Sequence, residues 1–258
     1  MVMMAQGYTP SRISTHALED ALTSYGDLSN AWGYCYQQNG HTFYVLTVPN
    51  FATWSYDSST QRWTQLTHRN VITGAREQHR AGCYLYLNGT HLVGDYANAN
   101  LYALDLDTYT DNGDLIERER AWAVIENENR WIRHNRLELI CEMGVGLDGI
   151  LLPGSILVED ETGTPILDEI GYPVRDEADP DLAAPGGDPV WLLDWSDDGC
   201  RNWSNARELH IGTSGHYRNR GVARRLGLSR RRVYRLRTTE PCKITAYGTN
   251  LDAAGASK

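Results

Sequence analysis

Ala31-Trp32-Gly33-Tyr34-Cys35-Tyr36, then Asn39-Gly40, then His41-Thr42-Phe43-Tyr44-Val45-Leu46-Thr47: two runs rich in aromatic and β-branched residues, joined by an Asn-Gly pair, decide the fold class. Such runs suit a pleated, half-buried surface. Asn and Gly both tolerate φ > 0, which the tight I′ turn demands, and that turn matches the twist of antiparallel strands. A hairpin is predicted. Ala52-Thr53-Trp54-Ser55-Tyr56-Asp57 and Arg62-Trp63-Thr64-Gln65-Leu66, separated by Ser58-Ser59-Thr60, add two strands, so four fit between Ala31 and Leu66. That is the outline of one propeller blade.

The same grammar returns downstream. Gly82-Cys83-Tyr84-Leu85-Tyr86-Leu87 and His91-Leu92-Val93-Gly94-Asp95-Tyr96 flank a second Asn88-Gly89, and Leu101-Tyr102-Ala103-Leu104-Asp105 and Thr108-Tyr109 follow. Setting Trp54-Ser55-Tyr56-Asp57 against Tyr102-Ala103-Leu104-Asp105 gives a repeat within the span of about 40–50 residues of propeller blades. Two further periods reach Val190-Trp191-Leu192-Leu193-Asp194, expected to open another blade. The expectation is an all-β, β-propeller-like fold, incomplete as a ring, in a single domain over residues 1–258.

Two segments depart from period two. Thr15 followed by Leu18, Ala21 and Leu22, with Glu19 and Asp20 early, predicts a capped N-terminal helix of two to three turns. Residues 148–189 are expected to form an inserted acidic loop or hairpin: Asp148–Asp188 holds eleven acidic residues against one arginine, with Ile156-Leu157-Val158 and Pro165-Ile166-Leu167 around Thr162-Gly163 as its hairpin. A solvated surface loop is the simpler reading of so long an insertion.

Composition excludes several classes. Fifteen Tyr and eight Trp against two Phe suit strands with one wet face. A net charge of −9 argues against tight duplex binding, which needs a basic footprint. No run of about eighteen apolar residues and no signal-like start predict a soluble chain that inserts in no membrane. Cys35, Cys83, Cys141, Cys200 and Cys242 are odd in number and never form C-x-x-C, so reduced thiols are expected rather than disulfides or a zinc site.

The sharpest motif is Ser196-Asp197-Asp198-Gly199-Cys200-Arg201-Asn202-Trp203, which resembles the Asp-box, S-x-D-x-G-x-T-W, of sialidase-like propellers. Cys200 stands for the usual Gly and Asn202 for the usual Thr. Ser196 and Asp198 can accept turn amides, Gly199 can supply φ > 0 and Trp203 can cover the turn. This is a folding device. Catalysis by a sialidase needs arginines spread over blades, a Tyr nucleophile and a partner Glu; here the arginines form one block, so no catalytic residue is assigned. P-loop, dinucleotide, H-E-x-x-H and nucleophile-elbow patterns are absent. His79 and Cys83 have metal-compatible spacing but are expected to be structural, and Asp105-Leu106-Asp107 and Asp111-Asn112-Gly113-Asp114 are turn chemistry; no metal and no cofactor are expected.

Between Gly215 and Thr239 there is no acidic residue, while Arg218, Arg220, Arg224, Arg225, Arg230, Arg231, Arg232, Arg235 and Arg237 crowd together. In Arg231-Arg232-Val233-Tyr234-Arg235-Leu236-Arg237, period two puts Tyr234 and Leu236 on one face and Arg235 and Arg237 on the other. Arg224, Arg225, Arg230, Arg231, Arg232, Arg235 and Arg237 are therefore the candidate face for a neighbouring subunit's acidic loop, ranked first, or for DNA phosphate, with a plainly solvated face as the third reading.

Several strings together resemble the packaged-DNA stabilisation protein family, the tail hub or nozzle of short-tailed bacteriophages: Ile13-Ser14-Thr15-His16-Ala17-Leu18-Glu19, the hairpin around Asn39-Gly40, Leu104-Asp105-Leu106-Asp107-Thr108-Tyr109-Thr110-Asp111-Asn112-Gly113, Glu142-Met143-Gly144-Val145-Gly146-Leu147, Trp195-Ser196-Asp197-Asp198-Gly199 and Ala223-Arg224-Arg225-Leu226-Gly227. The resemblance implies a non-enzymatic virion protein in the phage tail, found in the host cytoplasm during assembly. It also implies a homo-hexamer below the head-to-tail adaptor that extends the DNA exit channel, helps retain packaged double-stranded DNA and seats the tail needle, with the tailspike as a further candidate partner. Family members are longer, the match is to their C-terminal part, and the acidic stretch exceeds the family pattern. A free glycan-binding or sialidase-like propeller is the competing expectation.

Overall fold

The computed structural model describes residues 1–70, 72–146 and 187–256. The expected insertion, except Gly187-Asp188-Pro189, lies outside the described residues. Where the sequence predicts one domain, contacts divide the chain into two compact units, Met1–Asp114 and Leu115–Lys258.

The first unit opens with a hairpin, Met3–Gln6 with Thr9–Arg12, and the helix His16–Ser24. Thr15 caps it as expected, its Oγ1 accepting from the Leu18 amide at 3.3 Å. Arg12 and Ser14 both donate to the Glu19 carboxylate, tying the helix to the hairpin. The predicted blade follows as an antiparallel meander, Trp32–Gln38, His41–Val48, Ala52–Asp57 and Arg62–Arg69, with Arg76–Gln78 as a fifth strand. Asn39 and Gly40 sit at φ 51° and 77°, the I′ signature. Pairing of Leu46 with Trp54 and of Tyr56 with Trp63 puts these residues on one sheet face. There Leu46, Val48, Trp54 and Trp63 pack on Leu18 and Leu22 of the helix, and Trp63 Nε1 donates to the Ile13 carbonyl at 2.7 Å.

The opposite face meets a second meander, Ala81–Leu87, Thr90–Asp95 and Leu101–Ala103. Tyr34 stacks on Tyr84 with centroids 5.6 Å apart and planes 8° from parallel. Asn88-Gly89 again turns at positive φ. The expected fourth strand at Thr108-Tyr109 does not join this sheet; Thr110–Asp111 pairs instead with Asp114–Leu115 across Asn112-Gly113.

The second unit corrects the extrapolated repeat. Val190–Ser196 does not open a consecutive meander: its neighbours are Arg231–Thr238 and Arg207–His210, and Arg118–Ala121 and Ile125–Glu126 pair with the other edge of Arg231–Thr238. A second sheet runs Gly221–Ser229, Trp131–Cys141, Ala246–Ala256. Leu193, Leu209, Tyr234 and Leu236 from the first and Leu137, Leu139, Ala223 and Leu226 from the second form one core. Two sheets closed on a shared core are a sandwich. Alternation over Val190–Asp194 is equally compatible with a blade or a sandwich strand, because period two records burial and not pairing order.

All five cysteines are free thiols. Cys35, Cys83 and Cys200 are exposed, whereas burial pushes the Cys141 and Cys242 thiols up to about 11. Only the thiolate reacts readily. Three of the five thiols are therefore expected to be titrated promptly by a disulfide reagent at pH 8 and two only on denaturation; five equally fast thiols would contradict the burial of Cys141 and Cys242.

Candidate functional site

The predicted Asp-box-like turn joins Val190–Ser196 to Arg207–His210. Ser196 Oγ accepts from the Cys200 amide at 2.9 Å and donates to Asp198 Oδ1 at 2.7 Å. Asp198 accepts from the amides of Arg201 at 3.1 Å and Asn202 at 3.0 Å, and from Asn202 Nδ2 at 2.6 Å. Hydrogen bonds to its charged form hold the Asp198 carboxyl far below the usual range, those from Asn202 and Ser196 first. Gly199 lies at φ 77° and Cys200 at φ 69°, so the cysteine occupies a left-handed position at the place where the box has glycine. Trp203 lies beneath a guanidinium, Arg235 Cζ being 3.8 Å from its centroid.

The candidate basic strand behaves differently from its sequence pattern. Tyr234 and Leu236 do point into the core. Arg232 points inward with them, 2% exposed, donating to Asp197 through Nε at 2.6 Å and Nη2 at 2.7 Å and to the Leu226 carbonyl. Arg235 makes the same two-pronged contact with Asp194, at 2.9 and 2.7 Å, and Arg237 adds a third bond to Asp194 at 2.9 Å. Glu119 stands 3.5 Å from Arg235 and Glu117 3.8 Å from Arg237. Arg231 pairs with Glu126 at 3.4 Å, and Arg230 lies 5.0 Å from the Trp131 ring centroid. Arg231, Arg232, Arg235 and Arg237 of the candidate strand thus have acidic partners within their own unit. Arg224 and Arg225, exposed on Gly221–Ser229, have no side-chain partner among the described residues.

Sequence missed the acids in this arrangement. Asp194 and Asp197 lie 35 to 43 residues from their arginines, beyond any local pattern. It also missed a cavity of about 490 Å³ in the first unit, lined by Cys35, Tyr36, Gln37, Thr42, Tyr84, Tyr86 and His91, where the Tyr84 hydroxyl and His91 Nδ1 are 2.8 Å apart.

The remaining candidates have structural surroundings. His79 Nδ1 accepts from the Ala81 amide at 3.2 Å, and burial lowers the affinity of its ring for a proton. No group of three His, Cys, Asp or Glu among the described residues is placed to hold a metal ion. The tryptophans on which a glycan-binding surface would draw are engaged in packing: Trp54 and Trp63 against the helix, Trp191 in the sandwich core.

Two family models match the chain in order. Residues 1–109 match the β-propeller model of bacteriophage P22 Gp10, and residues 181–254 match the β-sandwich model of the same protein. The chain belongs to the Gp10 family of phage stabilisation proteins. Comparison with curated proteins gives no match. The Gp10 propeller model covers the meanders and ends near the boundary of the first unit, and the Gp10 sandwich model covers strands from both sheets of the second core, while Arg118–Ala121, Ile125–Glu126 and Trp131–Cys141 of that unit lie outside both matches. Membership makes the chain a phage structural protein that stabilises packaged DNA. Among the described residues no helix is long and apolar enough to cross a membrane.

Proposed function

We propose that this Gp10-family chain is a tail-hub, or nozzle, subunit that assembles as a homo-hexamer below the head-to-tail adaptor, extends the DNA exit channel, helps retain packaged DNA and contacts the tail needle and tailspike. The observation that carries the reading is the ordered match of two domain models of one phage protein along a single chain.

A surface of the first unit supports the oligomer. One end of its pair of meanders is covered by the helix, as terminal repeats are covered in other repeat folds. At the other end the outer face of the second meander carries Leu85, Leu87 and Leu101, which are 56%, 50% and 66% exposed. Pairing of Leu85 with Leu92 and of Leu101 with Gly94 puts these side chains opposite Tyr84. Contiguous apolar surface of this kind marks an interaction site, and a propeller needs more than two blades.

Light scattering of the purified chain, alone and with a cognate adaptor ring, tests the proposal, with negative-stain images of the product. Wild-type chain is expected to add six copies per adaptor. Leu85→Asp with Leu87→Asp is expected to keep the folded circular-dichroism spectrum and lose at least tenfold in assembly affinity, since burying two unpaired charges is strongly unfavourable. Wild-type chain that stays monomeric beside the adaptor sinks the hub reading; a Leu85/Leu87 variant that assembles normally clears this face of any role.

A further inference from the structure

We propose that the phosphate backbone of duplex DNA contacts the rim of the second unit where Arg136, Arg207, Arg224 and Arg225 converge. The assignment rests on the hub reading and deepens it, narrowing the candidate basic face to Arg224 and Arg225 and joining to them Arg136 and Arg207.

The residues come together through a local irregularity. Trp131–Cys141 shifts register between His134 and Arg136 where it pairs with Gly221–Ser229, and Arg225 opposite adopts φ 56°. The bulge places Arg136 directly across from Arg224. Residues so paired have Cβ atoms about 4.5–5.5 Å apart, and like charges there disfavour the sheet. From the facing sheet Arg207 reaches over, its Nη1 donating to the Arg224 carbonyl at 2.6 Å and Nη2 to the Arg225 carbonyl at 3.4 Å. A third arginine is thereby anchored on the backbone of the other two, its guanidinium 5.2 Å from the Trp195 ring centroid.

Two acids stand beside Arg136. Glu138 lies 3.9 Å from Arg136 but is held at 2.5–2.7 Å by Arg220. Asp252 is the cross-strand neighbour of Arg136 on its other side and accepts from Asn135 Nδ2 at 3.5 Å. Arg133, exposed on the same strand, adds further positive charge. Register and backbone bonds gather four arginines on neighbouring strands, two of them without a side-chain partner among the described residues, and the missing component is a polyanion. Duplex DNA presents one charge per about 1.7 Å of axis, so it satisfies such a group in any register while sliding. An acidic protein segment would have to be held in one register. The protein's net charge of −9 keeps the contact weak, as passage of DNA requires.

The test is fluorescence anisotropy of a labelled random-sequence duplex with the full chain over a range of salt concentrations. Four phosphate contacts predict a slope of about −3.6 in log affinity against log salt. Arg224→Gln with Arg225→Gln is expected to remove about two from the magnitude of that slope and about tenfold in low-salt affinity. Arg231→Gln, which loses only an exposed pair with Glu126, is expected to change neither. No duplex binding by the wild-type chain, or equal slopes for wild type and double variant, overturns the proposal. In particles, the double variant is expected to join the tail at wild-type copy number and release DNA early. A variant that fails to join the tail instead makes the rim a protein contact, overturning the DNA assignment while leaving the hub reading intact; failure of the wild-type chain to join overturns the hub reading itself.

Discussion

Asp194→Ala is expected to lower the unfolding free energy of the second unit by about 3 kcal/mol. Asp194 is 1% exposed and accepts three bonds from Arg235 and Arg237. Removing one member of a buried ion pair leaves an uncompensated charge, which costs about 3–5 kcal/mol. The lower end applies because Glu119 and Glu117 remain beside the arginines. Urea denaturation is the measurement, with an unchanged m-value as the sign that stability alone has moved. Replacing the network together, Asp194→Leu, Arg235→Met and Arg237→Met with Glu117→Gln and Glu119→Gln, is expected to recover most of the loss, since no member is then left as an unpaired charge. A loss below about 0.5 kcal/mol for Asp194→Ala places this triad among surface pairs, which contribute little.

The same triad shows which part of the second unit was not legible in the sequence, while much of the first unit was. Asn39-Gly40 and Asn88-Gly89 encode their turns in two adjacent residues, and the strands on either side alternate around them. Thr15 and Leu18 encode the helix start within four positions. Information that local survives in a string of residues. The pairing of Arg231–Thr238 with Val190–Ser196 depends on chain brought together from afar, and hydrophobic alternation records only which face is buried. A blade strand and a sandwich strand therefore looked alike at Val190, and a repeat counted forward from the first two meanders ran past the point where the architecture changes.

Charge runs mislead for a related reason. Nine arginines without an acid among them look like a binding face when the chain is taken one segment at a time. In three dimensions Arg232, Arg235 and Arg237 are the charged half of an internal network whose other half, Asp194 and Asp197, flanks the start of the Asp-box-like turn. Turn and strand stabilise each other: Ser196 and Asp198 shape the loop, Asp197 anchors Arg232, and Trp203 from the same loop lies under Arg235. The arginines left over are those on the neighbouring strand, where a bulge rather than a pattern sets their direction. The turn is accordingly a fastening for the sandwich, a role available to it in any all-β context and independent of the sugar chemistry with which its sequence form is associated.

His134 makes the stability of this sandwich depend on pH. Its ring is 1% exposed, with Nε2 2.9 Å from Ser229 Oγ, a T-shaped contact to Tyr234 and Nδ1 without a hydrogen-bond partner among the described residues. Burial, and then the Arg232 guanidinium, lower its folded-state value from 6.5 to about 4. The native ring is therefore neutral where the unfolded chain binds a proton. Stability from the neutral ring is complete above pH 6.5, falls as the pH drops through the window to about 4, and changes no further once the folded ring is also protonated. The full span corresponds to about 3 kcal/mol. His134→Gln, which cannot titrate, is expected to start from a lower stability at pH 7.5 because packing against Tyr234 is lost, yet to show a flatter profile between pH 6.5 and 4. Carboxylates that lose their pairs in acid do so in both proteins, so the difference between the two urea-midpoint profiles isolates the imidazole. Parallel profiles mean that His134 is charged in the folded state, and the burial argument fails; converging profiles mean that the imidazole sets the acid limit of the unit that carries the basic rim.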